Sequence, residues 1–197
     1  MNYEQVLQEL SQQGRTIITT KAAEAAGISR AMLYKLTKAG SLQRIAQGQY
    51  MLAQEMPDEL LSISLRSANM VFSHETALFL HGISDRTPFV HSITVPTGVG
   101  VSAVLQESCK IYRIKQELFD LGRTTIKTAL GNSVPCYDLE RTICDAIRSR
   151  NKMGTETFLT ALKQYANHPK KNLNLLNIYA KKLHLTTLVR QYLEVLL

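Results

Sequence analysis

Apolar positions change period several times along this chain. Residues 1–14, MNYEQVLQELSQQG, space them as an amphipathic, acidic helix. From Thr19 the sequence TTKAAEAAGISRAMLYKLTKAGSLQRIAQGQYML sets Ala23, Gly27, Leu33 and Leu36 at steps of four, six and three residues, with Ile28 directly after the glycine. That spacing predicts two short helices. Alternating segments follow, Leu42 to Ile45 and Gln49 to Leu52, turning at Ala46-Gln47-Gly48 as a hairpin. Ala53 to Asp58 reads as a linker, because Pro57 breaks the strand and opens a helix over Asp58 to Ser67.

Beyond the linker the period alternates between strand and helix. Strands are expected at Met70 to Phe72, Ser92 to Pro96, Lys110 to Ile114 and Thr124 to Ala129. Ser73 is placed to cap a helix over Glu75 to His81 that Gly82 ends. Asp138 caps a further helix, DLERTICDAIRSR, with an apolar stripe of Leu139, Ile143, Ala146 and Ile147. Its Glu140, Arg141, Asp145 and Arg148 are assigned to the other faces, Arg141 within reach of Asp138. Three helices close the chain, about Thr155 to Ala166, Leu173 to Leu183 and Thr187 to Leu196, the first two parted by His168-Pro169. The fold class is α+β: a winged helix-turn-helix over residues 1–56, then a domain over 57–197, mixed α/β to about 150 and helical from 151.

A helix-turn-helix needs a small residue where its helices cross, a residue that tolerates positive φ in the turn, and apolar anchors under the second helix. Ala23, Gly27, Ile28, Leu33 and Leu36 supply these, and Ser29 can cap the second helix. With the anchors inward, Arg30, Tyr34 and Lys38 form one outward row, with Ala31 and Lys35 beside it. Gly40 ends the helix, and Arg44 and Gln47 lie near the tip of the wing. The arrangement suits a major groove. Arg30 in the first turn is placed for base edges, Lys35 and Lys38 for phosphates, and the wing for backbone or minor groove. An ordinary helical hairpin with a solvated basic face carries the same residues and stands as the alternative.

Charge separates these readings. Residues 15–54 hold six basic residues (Arg15, Lys21, Arg30, Lys35, Lys38, Arg44) against Glu24 alone, a local balance of +5. The whole chain of 197 residues carries +7, with residues 1–56 contributing six basic and four acidic groups, 57–150 ten of each, and 151–197 seven and two. In the last segment Lys170, Lys171, Lys181 and Lys182 offer a basic extension toward DNA or RNA, or a solvated helical face. No apolar run approaches the roughly 20 residues that span a bilayer, and the N-terminus has no signal-peptide pattern, so a cytoplasmic location is expected. Cys109, Cys136 and Cys144 lack metal-ligand or disulfide spacing and read as reduced, mostly buried thiols.

Little here suggests catalysis. His74 and His81 lie two helical turns apart, about 10 Å along the axis, too far for both rings to hold one zinc easily. With Glu75 and Asp85 they are better explained as capping and packing. Gly98-Val99-Gly100 lacks the remaining glycine and lysine of a phosphate-binding loop. No nucleophile elbow or paired glycosidase carboxylates occur, and no catalytic residue, metal or cofactor is assigned.

Taken as whole motifs, the alanine-rich helix with G-I-S-R, the wing ending in G-Q-Y, S-H-E-T-A-L-F-L-H-G-I and D-L-E-R-T-I-C-D-A-I-R resemble the AbiEi-type antitoxins over nearly all of residues 3–197. The resemblance implies the antitoxin half of a bacterial type IV toxin-antitoxin system that gives abortive phage resistance. Its N-terminal domain would repress its own operon at inverted repeats, and its C-terminal domain would counter a nucleotidyltransferase-like toxin without a stable complex. With no heptad pattern in the chain, a free monomer that pairs on DNA is expected. The alternatives are an enzyme directed at nucleic acid, working through residues such as Glu75 or Asp145, and a plain transcription regulator with no toxin partner.

Overall fold

The computed structural model describes residues 3–12 and 16–193. The chain divides into two compact units, one of Met1–Arg66 with Lys127–Val134, the other of Ser67–Ile126 with Pro135–Leu197.

In the first unit, α1 (Tyr3–Gln12), β1 (Ile18–Thr19), α2 (Thr20–Ala25), α3 (Arg30–Lys38), β2 (Leu42–Ala46) and β3 (Gln49–Leu52) follow the order of a winged helix. The strands pair antiparallel in the order β1-β3-β2, with a bulge between Arg44 and Ala46. Leu7, Ile18, Ala23, Ile28, Leu33 and Leu42 make the core, and Leu36 packs against it half-buried. Each expected anchor therefore faces inward. Burying these side chains, at roughly 25 cal/mol per Å² of apolar surface, is what holds so small a body together.

Helix α4 (Glu59–Ser64) also belongs to this unit and is shorter than the Asp58 to Ser67 helix expected to open the second domain. Asp58 caps it, Oδ1 accepting from Leu61 N at 3.1 Å. The buried Gln49 ties it to the wing, Nε2 donating to the Ser62 carbonyl (2.9 Å) while its Oε1 accepts from Ser62 Oγ (2.6 Å). The other oxygen of Asp58 accepts from Thr128 Oγ1 (2.6 Å) and Asn132 Nδ2 (2.8 Å), and the same Asn132 amide donates to Thr16 Oγ1 at 3.2 Å. These bonds anchor residues 127–134 in a unit whose other residues all lie before position 67.

The second unit runs β4 (Val71–Phe72), α5 (His74–Leu80), β5 (His91–Pro96), α6 (Ala103–Ser108), β6 (Cys109–Ile114), α7 (Gln116–Phe119) and β7 (Arg123–Lys127). It continues through β8 (Ser133–Tyr137), α8 (Leu139–Arg148), a 3-10 turn at Arg150–Lys152, α9 (Thr155–Ala166), α10 (Leu173–Lys182) and α11 (Thr186–Leu193). Strand order is β6-β5-β4-β8-β7, mixed, with β5-β6 and β4-β8 parallel and β4-β5 antiparallel. The expected end of α11 at Leu196 lies outside the described residues.

Helix α8 differs most from expectation. All residues from Leu139 to Ile147 are buried, and α5, α9, α10 and α11 pack around it. Of the charges assigned to the other faces, Glu140, Arg141 and Asp145 are enclosed and Arg148 is one-third exposed, and partners answer them all save at Arg141 Nη2, which is buried without a hydrogen bond. Arg141 pairs with Asp145 rather than Asp138, Nε to Oδ2 at 3.0 Å. Its Nη1 donates to the carbonyls of Leu118 (3.0 Å) and Leu121 (2.7 Å), and its guanidinium lies 4.2 Å from the centroid of the Tyr137 ring. Asp138 does cap the helix, accepting from Arg141 N at 2.8 Å, and also accepts from Tyr179 OH at 2.7 Å. Glu140 accepts from the Asn172 backbone N–H at 2.8 Å.

Candidate nucleic-acid interface

The helix-turn-helix is built from local rules that all act within about ten residues. Thr19 Oγ1 accepts from Ala22 N (3.1 Å) and starts α2. At its other end Gly27 N donates to Glu24 O (3.0 Å) and Ile28 N to Ala23 O (2.9 Å), the two bonds of a Schellman cap. That cap requires positive φ at its glycine, and Gly27 has φ 84°. The chain reverses there, seats Ile28 in the core, and Ser29 Oγ then accepts from Met32 N (3.2 Å) to open α3. A second cap of the same kind closes α3, with Gly40 N to Thr37 O (3.2 Å) and Ser41 N to Leu36 O (3.1 Å).

Helix α3 is two-faced as a result. Leu33 is fully buried, whereas Ser29, Arg30, Ala31, Tyr34, Lys35 and Lys38 are exposed, Tyr34 at 63%. Lys38 Nζ lies 5.8 Å from the Tyr34 ring centroid, so the ring and the ammonium form one surface. Arg30 Nε donates to Glu24 Oε1 at 2.8 Å, a contact the spacing of the sequence did not disclose. In the wing, Arg44 and Gln47 are exposed, and Gly48 takes φ 70° at the turn. The Gly48 carbonyl accepts from Thr20 N at 2.9 Å, which fixes the hairpin against the start of α2.

The lysines of the last segment lie in the second unit. Lys170, Lys181 and Lys182 are exposed, while Lys171 Nζ donates to the Ala166 carbonyl at 2.6 Å and so neutralises the end of α9. Of the ligand-like residues near α5, His81 Nε2 donates to the Tyr137 carbonyl (2.8 Å) and Glu75 pairs with Lys110 (2.9 Å) and Ser92 (2.9 Å). Ser73 holds the N-cap position without a side-chain cap bond, its Oγ engaging His74 Nδ1 (2.9 Å) and Thr94 Oγ1 (2.8 Å) instead. No group of three or more His, Cys, Asp or Glu residues is gathered for a metal among the described residues. All three cysteines are buried thiols, and burial pushes Cys144 up to about 12.

Residues 4–53, the winged helix itself, match the family model described as a transcriptional regulator, AbiEi antitoxin. The winged helix is thus similar to that of the AbiEi antitoxins. The description of that family names transcriptional regulation and an antitoxin role. Over the longer chain the fold is similar to that of the RV2827C protein from Mycobacterium tuberculosis, known from a crystal structure, with a TM-score of 0.63 at 16% identity, covering 92% of this chain and 72% of that one. At that identity the likeness is one of fold. No curated protein matches the chain. Among the described residues, no helix is long and apolar enough to cross a membrane.

Proposed function

We propose that the protein is an antitoxin and transcriptional autorepressor that binds inverted repeats in its own promoter through α3 and the wing. The observation that carries this reading is the division of α3. Leu33 is sealed in the core, while Arg30, Tyr34 and Lys38 stand in a solvent-facing row beside Ala31 and Lys35. A helix so held presents its N-terminal turn to base edges and its flanks to phosphates. Arg30 would read a guanine through its Nη groups and Ser29 would lie at the groove edge. Lys35 and Lys38 would neutralise phosphates, and Arg44 and Gln47 would touch backbone or minor groove. Two protomers, monomeric when free, would meet on the two repeats.

The second unit would counter a nucleotidyltransferase-like toxin without a stable complex, and the exposed Lys170, Lys181 and Lys182 would meet the same DNA or an RNA. Glu75 and Asp145 give no support to a catalytic reading, since Glu75 is held by Lys110 and Asp145 is buried between two arginines. The test is fluorescence anisotropy on the native upstream DNA against scrambled DNA of equal length, at two salt concentrations. Preference for the native sequence that persists as salt rises is the expected result. Equal, salt-labile affinity for both would overturn the repressor reading.

A further inference from the structure

The second unit contains a cleft of about 870 Å³ where the edge strand β6 meets the end of α8 and the turn after it, bordered by Tyr112, Arg113, Arg148, Ser149, Asn151 and Lys152. Three of these are cations, and no Asp or Glu lines the cleft among the described residues. The charge is not cancelled from behind. Arg113 Nη1 donates to the carbonyls of Val99 (3.0 Å) and Pro96 (3.5 Å), which fix its direction and leave its charge. Arg148 reaches Asp145 at 2.7 Å, but that carboxylate also serves Arg141, so two guanidiniums share one negative group.

A relay of buried polar groups ends in the same wall. Thr94 Oγ1 donates to Ser73 Oγ at 2.8 Å; Ser73 Oγ lies 2.9 Å from His74 Nδ1, and His74 Nε2 lies 3.0 Å from Ser149 Oγ. Thr94, Ser73 and His74 are fully buried. Burial lowers the His74 pKa to about 4, so the ring is neutral near pH 7 and has one donor and one acceptor nitrogen. A hydroxyl oxygen accepts more than one hydrogen bond, so Ser73 Oγ accepts from Thr94 and bonds Nδ1 in either tautomer of the ring, while Nε2 bonds Ser149 Oγ. Ser149 Oγ is thereby fixed at the wall of the cleft. His74 is held in place at φ 49°, uncommon for a residue other than glycine, with its ring stacked on Tyr112 at 3.4 Å between centroids. Backbone held this way collects at ligand sites.

We infer that this cleft binds a free nucleotide, a nucleoside di- or triphosphate, with Arg113, Arg148 and Lys152 around the phosphates and Ser149 donating to a phosphate oxygen. The volume falls within the roughly 300–1,000 Å³ of small-molecule sites. Guanidinium forks and hydroxyl donors are the groups that phosphate oxygens select. The three cations border one concavity, whereas strand binding uses a basic track with bases stacked along it.

Isothermal titration of the full chain with ATP, GTP, ADP and inorganic triphosphate tests the assignment. At least one nucleotide should bind saturably, one per chain. Arg113→Glu with Lys152→Glu, both at exposed positions, should weaken it about tenfold or more, and Ser149→Ala a few-fold. Thermal unfolding and promoter affinity should stay at parental values in the double variant, which separates this site from the winged helix. The inference is overturned by no saturation up to about 1 mM, or by an unchanged Kd in the double variant. It is equally overturned if a short single-stranded RNA binds more tightly than every nucleotide and loses affinity in the same variant.

Discussion

Glu24 accepts a hydrogen bond from Arg30 Nε at 2.8 Å, joining the two helices of the helix-turn-helix across their turn. Both side chains are solvated, so the pair adds little to stability. Its effect is on direction, because a guanidinium held at Nε turns its Nη edge outward. Glu24→Gln should bind both native and scrambled DNA more tightly, having lost a negative charge near the phosphates, while the ratio between them falls. Anisotropy titrations on the two DNAs give that ratio directly.

Arg30→Ala and Lys35→Ala should separate base reading from phosphate contact. The arginine variant is expected to lose about 1–3 kcal/mol of preference for the native sequence. The lysine variant should bind both DNAs more weakly to the same extent, with the salt slope reduced by about one. If both behave like the parent, α3 is not the reading helix.

Asp145 is fully buried and neutralises Arg141 and Arg148 together. Asp145→Ala leaves the enclosed Arg141 without its counter-charge and is expected to cost about 3–5 kcal/mol. Arg148 is one-third exposed, and Arg148→Ala should cost about 1 kcal/mol. Urea midpoints of the two variants check the order.

Gly122 has φ 74°, and a Cβ built there would stand 2.6 Å from Arg141 Cβ. Its carbonyl also accepts from Asp138 N at 2.7 Å, so the segment cannot retreat without disturbing the start of α8. Gly122→Ala should destabilise by about 2–4 kcal/mol, combining backbone strain with the clash. Thermal unfolding measures it, and Gly131→Ala, with positive φ and open space around it, should cost less.

His74 has its pKa lowered from 6.5 to about 4, chiefly by burial; Asp145 and Glu75 pull it up, while Arg148 and Lys110 push it down. The unfolded chain therefore takes up this proton before the folded chain does. Stability should be full above about pH 6.5, fall as pH drops toward about 4, and stop falling from this source below that. The size is about 2–4 kcal/mol. His81 is lowered in the same sense, again chiefly by burial. His74→Asn, which tolerates positive φ, should be less stable at pH 7 yet show a flatter loss between pH 7 and 5 in urea titrations.

The winged helix was legible because every signal in it is short-ranged. Thr19, Ala23, Gly27, Ile28 and Ser29 each act on a neighbour two to five residues away. Helix α8 was placed correctly, but the burial of the faces that carry its charges was not seen, because a charged residue reads the same whether it faces water or a buried partner. Only packing against α5, α9, α10 and α11 distinguishes the two. Strand β8 escaped notice since Pro135 interrupts its pattern and its partner Phe72 lies far back along the chain. Ser149 could not be singled out for the same reason, its imidazole partner lying 75 residues earlier.

The first unit recruits residues 127–134, where Thr128 and Asn132 meet the buried carboxylate of Asp58. A ribosome making this chain delivers the helix-turn-helix early and the segment that completes its surroundings only after position 134 has emerged. Until then Asp58 lacks two of its hydrogen-bond donors. A nascent or truncated chain ending near residue 66 would carry α3 and the wing on an unfinished body, so the first unit is complete only once about half of the second unit has been synthesised.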